Sequence, residues 1–547
     1  MSLPPTIEKV TEIDRERPLT RVPVELYPIA LLAAALRLFR LESESYWVDE
    51  VVSVTTVTSN TPYELLISVP GNDPHPPFYY LLLSGWTAVF GTTELATRLL
   101  SALVGVATVV VLYGVGRRLF DREVGAIAAL LVAVSPFHVW YSQEVRMYNL
   151  LALLTALSFY WFVRIQAAKS ADEGGVRGDI GYVVSAVLLG YTHVFGLFAI
   201  LAQNAYVFSR PLVRIVPRSR LTVRRWIALQ GITAVLLLPW AVRLFRRVTA
   251  AHAGEASNVS WIPLPTAETV WQTFAAYLGG YLFDESLPIL VSLVVAGCLV
   301  LAISSDRRTA AETNRQDAPV NAVYVTLLWL VVPILVPIGL SYVVTPIFVD
   351  RYSIGASLAF FLLIANGVRT VSRPTLRYVV VGMLLVGLVM PLPTYYQADQ
   401  KEQWREAAAD VESTVDGDDV VLVSRPFTER TFGYYFDRSD VATVRITPDA
   451  SADEIRAAVD GHDDVWIVLS YTDSSTDQRI LRAVENRSEY RGPVVENRYN
   501  GITVVRFERT SDQNRRIESP TAPSSPIESD RIRTIRPVST SLEMPNR

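Results

Sequence analysis

The chain alternates between long apolar runs and short polar connections for most of its length, then changes character. The runs fall near 24–41, 93–116, 123–139, 148–165, 180–192, 194–208, 226–244, 286–303, 320–341, 353–370 and 378–393. A helix that crosses hydrocarbon needs about 20 apolar residues, so the pattern predicts about eleven transmembrane helices, several of them short. Residues 75–90 (HPPFYYLLLSGWTAVF) are apolar but too brief to cross; they predict an interfacial helix within a long loop spanning 42–92. After 393, DDVVLVS and DDVWIVLS read as buried strands and GITVVRFE as a closing strand, while DEIRAAVD and DQRILRAVEN read as amphipathic helices. The fold class is a polytopic α-helical membrane protein with a small C-terminal α/β domain. Its parts are a polar tail over 1–23, a membrane domain over 24–393, the α/β domain over 394–510, and a Ser-, Pro- and Arg-rich tail over 511–547 that is expected to be disordered.

Composition narrows the function classes. Half of the 547 residues are hydrophobic and 19% are charged, where soluble domains carry roughly 25%; a purely soluble or disordered chain is excluded. A net charge of −4 leaves no nucleic-acid footprint. The single cysteine, Cys298, excludes an intrachain disulfide, and five histidines without HExxH or CxxC offer no cysteine/histidine metal site. Only Lys9, Lys169 and Lys401 among the 50 basic residues are lysines; with the acidic stretches around Asp416, Asp418, Asp419, Asp463 and Asp464, this composition suggests a salt-adapted archaeal protein. The polar first two dozen residues do not read as a cleavable signal.

Arginines orient the spans. Arg15, Arg17 and Arg21 precede the first; Arg117, Arg118 and Arg122, then Arg210, Arg214, Arg218, Arg220, Arg224 and Arg225, then Arg307, Arg308 and Arg315, then Arg369, Arg373 and Arg377 fill every second connection. Arginine-rich connections face the cytoplasm, so the N-terminus is expected inside and the C-terminal domain outside. Arg243, Arg246 and Arg247 depart from the alternation, and the sequons Asn258-Val259-Ser260 and Asn486-Arg487-Ser488 fall on the expected outer side.

On that side the loops collect chemistry: Trp47-Val48-Asp49-Glu50, then Asp73 and His75, Glu144 and Arg146 within Tyr141–Tyr148, His193, Trp261, and Asp350-Arg351-Tyr352. Ionisable residues near a bilayer are costly, so their convergence on one face suggests a site. Each also has an ordinary reading. Asp49 and Glu50 suit a solvated helix start, or a general base beside a carboxylate that positions it or binds a cation. Arg146 and Arg351 suit snorkelling to headgroups, or phosphate forks. His193 suits a helix turn, and His75 a cap on the interfacial helix. Taken together, a base, guanidiniums and a lipid-facing surface describe sugar transfer from a lipid-phosphate donor. Arginines would stabilise the charge that develops on the leaving phosphate, and a single displacement would invert the anomeric carbon.

The segments WVDE at 47–50, DPHPPFYYLLLSGWTAVFG, ELATRLLSAL, GRRLFDREVG, SPFHVWYSQEVRMYNLLALL, YTHVFGLF and PIFVDRYSIG resemble, in order over roughly 25–393, the GT-C membrane glycosyltransferases of the protein O-mannosyltransferase and aminoarabinose-transferase type (glycosyltransferase family 39). The resemblance implies a GT-C fold and a polyprenyl- or dolichyl-phosphate-linked sugar donor. It puts the catalytic aspartate on Asp49, with Glu50 beside it. It carries lipid-phosphate binding to Arg146 and Arg351, and to His193 and Tyr352; His75 and Glu144 complete the expected substrate-binding set. Some members bind a divalent cation, for which carboxylate partners are not obvious here. The expected partners are the donor, a glycan or protein acceptor, and membrane lipid. The competing readings are a lipid or saccharide transporter, which would favour midplane charges and inverted repeats, and a non-catalytic scaffold for the C-terminal domain.

Overall fold

The computed structural model describes residues 23–67, 75–167, 171–209, 222–252, 261–282, 289–312, 320–471 and 474–510. The two tails, Asp73, the basic connection through Arg210, Arg214, Arg218 and Arg220, the sequon at Asn258 and Arg315 lie outside the described residues.

Each predicted apolar run holds a helix: α1 (Leu26–Leu38), α5 (Glu94–Leu119), α6 (Arg122–Val134) with α7 (Pro136–Ser142), α8 (Tyr148–Ala167), α9 (Ala171–Gly190), α10 (Gly196–Ser209), α11 (Val223–His252), α13 (Ile289–Glu312), α14 (Ala322–Val343), α15 (Ile354–Arg369) and α16 (Pro374–Val389). Among the described residues, six helical stretches are long and apolar enough to cross a membrane unaided, those of α5, α8, α11, α14, α15 and α16; the bent α6–α7 pair makes a seventh, and α1, α10 and the apolar part of α13 are shorter. The protein is a multi-pass membrane protein. Between α1 and α5 lie α2 (Val48–Thr58), α3 (Pro62–Ile67) and α4 (Phe78–Phe90), and α12 (Ala267–Gly279) follows α11. α4 is the expected short helix; Gly91 ends it at φ +84°, a backbone geometry that suits glycine.

Two features of the bundle position the site. α6 and α7 meet at 61°, because Pro136 cannot continue α6 but fits the first turn of α7, leaving Ser135 extended at ψ 122°. The bend delivers residues 143–147 to the end of α2. α15 is buried around its whole circumference from Ile354 to Val368, which makes it the central helix; the 3₁₀ turn Asp350–Ser353 at its start carries Arg351. α5 and α6 approach until a Cβ on Gly116 would lie 2.7 Å from the Gly125 Cα.

α17 (Leu392–Gln397) leads to α18 (Trp404–Glu412) and the α/β domain: β1 (Val420–Ser424), α19 (Pro426–Tyr435), β2 (Ala442–Ile446), α20 (Ala452–Val459), β3 (Val465–Ser470), α21 (Ser474–Glu485), β4 (Tyr490–Tyr499) and β5 (Ile502–Arg509). The strand order is β2-β1-β3-β5-β4. β1 pairs in parallel with β2 and β3, whereas β5 is antiparallel to β3 and β4. Both faces are covered. Leu422, Ile467 and Val505 pack with Ile455 of α20 and Ile480 of α21, and Val421, Trp466 and Val504 pack with Trp404 and Phe432. This explains the unbroken apolar runs of β1 and β3. α19 packs against α2, so the domain abuts the helix that bears the acidic pair.

Candidate active site

α2 begins at Val48, so Asp49 and Glu50 both occupy its first turn, where the helix dipole favours negative charge. Successive helical residues point about 100° apart, and the two carboxylates part accordingly. Glu50 turns inward and is fully buried. Its Oε1 accepts from Arg98 Nε and Val145 N, both at 2.9 Å. Its Oε2 accepts from Arg98 Nη2 at 2.8 Å, Lys401 Nζ at 2.9 Å and Trp47 N at 3.4 Å. Burial pushes the Glu50 carboxyl up, but the charges of Arg98 and Lys401 outweigh it and hold the group at about 2. Of the two roles open for Glu50, positioning fits and cation binding does not, because its lone pairs are already taken. Among the described residues no group of three or more His, Cys, Asp or Glu side chains is placed to hold a metal ion. The described residues do not fit the cation that the resemblance allowed, and no step below uses one.

Asp49 points the other way, with 34% of its side chain exposed. Arg146 Nη2 lies 3.7 Å from Asp49 Oδ2, and Nη1 donates to Ser53 Oγ at 3.2 Å and more weakly to Asp49 O at 3.4 Å. The Arg146 guanidinium also lies over the Tyr148 ring at 5.9 Å. Tyr148 stacks on Tyr352 at 6.1 Å, and His193 sits 4.7 Å from Tyr352 and 5.3 Å from His75. Arg351 lies between the faces of Trp261 and Tyr352, at 5.4 and 5.6 Å. Its Nε is buried without a hydrogen-bond partner, and no carboxylate among the described residues forms an ion pair with it. Asp49 is close enough to interact by charge with both Arg351 and Tyr352.

Glu144 forms a further wall. Trp140 Nε1 donates to its Oε1 at 2.7 Å, while Oε2 is buried without a partner. Burial raises this carboxyl to about 7, against a smaller opposing effect of the Lys401 charge. A carboxylate here would repel a phosphate, whereas the protonated form that burial favours is a neutral hydrogen-bonding group.

Asp49, Arg146, Arg351, Tyr352, His193 and His75 thus share one neighbourhood, with Glu50 behind it and Glu144 at its side. His75 is corrected in one respect. The N-cap of α4 is Pro77, without a side-chain cap, and Phe78 N donates to Tyr191 O at 3.0 Å instead. His75 itself lies two residues before that N-cap, with its ring against that of His193. Sequence reasoning missed Arg98 and gave no site role to Lys401. Arg98 was signalled as an arginine within an apolar run, and Lys401 as one of three lysines. Arg243, which broke the loop alternation, donates to Leu66 O at 2.9 Å at the end of α3.

The family model described as dolichyl-phosphate-mannose-protein mannosyltransferase matches residues 74–245, a stretch holding His75, Glu144, Arg146 and His193. No curated protein matches the chain. Among solved structures, ArnT from Cupriavidus metallidurans in the apo state aligns with a TM-score of 0.56 at 13% identity, over 88% of this chain and 97% of that one. The same protein bound to undecaprenyl phosphate aligns at 0.54 and 13%, with the same coverage. The archaeal oligosaccharyltransferase AglB from Archaeoglobus fulgidus, in complex with an inhibitory peptide and a dolichol-phosphate, aligns at 0.50 and 11%, over 81% and 69%. The chain has the GT-C fold of membrane glycosyltransferases.

Proposed function

We propose that this GT-C protein transfers a hexose, mannose as the first choice, from a dolichyl- or polyprenyl-phosphate-linked donor to a hydroxyl of a lipid-linked glycan, a protein-linked glycan or a protein. The observation that carries this reading is the approach of Arg146 to Asp49 at 3.7 Å in the first turn of α2, beside a buried Arg351 with no acidic partner among the described residues. The matched family and the lipid phosphates named with ArnT and AglB support the donor class.

In this reading the donor's tail stays in the bilayer while its phosphate is received by the guanidiniums of Arg146 and Arg351. As the sugar–phosphate bond breaks, negative charge grows on the phosphate oxygens, and preoriented cations stabilise it where water is excluded. Asp49, the one exposed carboxylate of the pair, takes the proton from the acceptor hydroxyl, which attacks from the opposite face of the ring. Glu50 holds the first turn of α2. His193, His75 and Tyr352 wall the donor site. The arginine alternation of the connections supports a reaction on the outer face, with the N-terminus inside. A transporter reading would need charge near the midplane of the spans, whereas these groups lie at helix ends and in connections.

Glycan mass analysis of cells lacking the chain, complemented with wild type or Asp49→Asn, tests the proposal. Loss of one sugar mass in the deletion, restored by wild type and not by Asp49→Asn, is expected. Restoration by Asp49→Asn at the wild-type rate removes the base.

A further inference from the structure

Lys401 lies in the connection between α17 and α18, where the membrane domain passes into the α/β domain. It is buried, and its ammonium donates to Glu50 Oε2 at 2.9 Å and to Gln143 O at 3.0 Å. Those two acceptors belong to the two segments that carry the site. Glu50 is next to Asp49, and Gln143 opens the stretch that bears Arg146. The backbone around Lys401 is held from the other side. Asn500, in the β4–β5 turn, donates through Nδ2 to Asp399 O and Lys401 O, both at 2.9 Å. Asn500 N donates to Gln403 Oε1 at 2.8 Å, and Gln403 N donates to Asn500 O at 3.2 Å. Trp404 N donates to Ser45 Oγ at 3.1 Å, just before α2.

We infer that Lys401 is a positioning residue through which the docked α/β domain holds Asp49 and Arg146 in working register. The inference rests on the proposed role of Asp49. A cation 351 residues beyond Glu50 in sequence here contacts both α2 and residues 143–147, and it does so from a connection clasped by the sheet. Arg98 alone would still neutralise Glu50, and Val145 N already joins Glu50 to residues 143–147. Lys401 adds the link from both segments to the connection that the α/β domain holds.

The experiment complements deletion cells with the full chain and measures the rate at which the missing glycan mass returns after induction. Rates are normalised to folded protein, scored by protease resistance and apparent melting temperature. Lys401→Met is expected to lower the rate per folded molecule by about a hundredfold, the scale of a ~1 Å misplacement. Lys401→Arg, which keeps a donor for Glu50, should recover at least part of it. A purely stabilising lysine would change the amount of folded protein and leave the rate per molecule unmoved for both variants; that result overturns the inference. If Lys401→Met does not accumulate, Asn500→Ala is read instead. A severalfold loss per folded molecule supports the tie, and an unchanged rate overturns it. Asp49→Asn is run alongside. If it is inactive while Lys401→Met works normally, only the positioning role falls; if it is active, the base and this inference fall together.

Discussion

Arg146 Nη2 lies 3.7 Å from Asp49 Oδ2 while its Nη1 reaches Ser53 Oγ, one turn along the same helix, at 3.2 Å. The second bond fixes the plane of the guanidinium, and the Tyr148 ring supports it. A lysine would keep the charge and lose the fork. Arg146→Lys is therefore expected to reduce transfer by roughly 10²-fold, the loss typical for one preoriented transition-state donor. Quantitative glycan mass analysis checks this. Near-normal transfer would show that charge alone suffices there.

Asp49 and Glu50 should respond to neutralisation in opposite ways. Asp49 is partly exposed with one cation beside it, so Asp49→Asn should abolish transfer and leave melting nearly unchanged. Glu50→Gln strands Arg98 and Lys401 in the interior, and removing one partner of a buried ion pair costs about 3–5 kcal/mol. It should lower the melting temperature strongly. The Glu50 carboxyl lies below its ordinary value, at about 2, so its stabilising contribution is complete above the unfolded carboxyl pKa and is lost as pH falls from 4.5 toward 2. An acid melting series on wild type and Glu50→Gln reads this out; parallel curves would contradict the assignment.

Sequence reasoning found the central strands of the α/β domain and overlooked its edges. β1 and β3 are wholly buried and β5 is buried or half-buried up to its last residue, whereas β2 alternates and β4 is largely exposed, so neither edge carries an unbroken apolar signal. The site shows the same division. Asp49 was visible because it follows directly on a span, and Arg146 and Arg351 because they stand at span ends. The partners of Glu50 were hidden by distance along the chain. Arg98 lies inside an apolar helix and Lys401 in a connection without periodicity, and only folding brings them to one carboxylate. The Pro136 bend was likewise concealed within a single apolar run.

Glu144 should give the protein a pH signature of the reverse sign. Its carboxyl is raised to about 7 from 4.5, so between those values the folded state holds a proton that the unfolded state has released. Stability then falls as pH rises from 4.5 to 7 and is flat above. Glu144→Gln, neutral throughout, should remove that fall and melt higher than wild type at pH 8. Melting of the purified protein from pH 5 to 8 checks it; an unchanged slope in the variant would relocate the titrating group.

Arg351 is caged by Trp261 and Tyr352 without an acidic partner among the described residues. A cation so placed is available to an incoming anion. Arg351→Ala should raise the KM for a polyprenyl-phosphate-sugar donor by ~10-fold or more, about the worth of one hydrogen bond to a charged group, and leave the acceptor KM alone. Initial rates with each substrate varied in turn decide this, and equal effects on both would remove the donor assignment.

The sidedness of the site rests on arginine counts and is open to direct labelling. Glu50 is fully buried, so a thiol there would be blind to reagent. Ser59, just after α2, and Ser372, between α15 and α16, are both exposed. The native Cys298 is buried and gives a low background. In intact cells, an impermeant maleimide should label Ser59→Cys and spare Ser372→Cys, and opening the cells should make the second reactive. Labelling of both from outside would place the Asp49 loop and the Arg369–Arg377 connection on one side. That would require an odd number of the intervening apolar helices to turn back without crossing, and the arginine alternation would fail as a guide to sidedness; protection of Ser59→Cys in intact cells is the result that would overturn the outward orientation of the site.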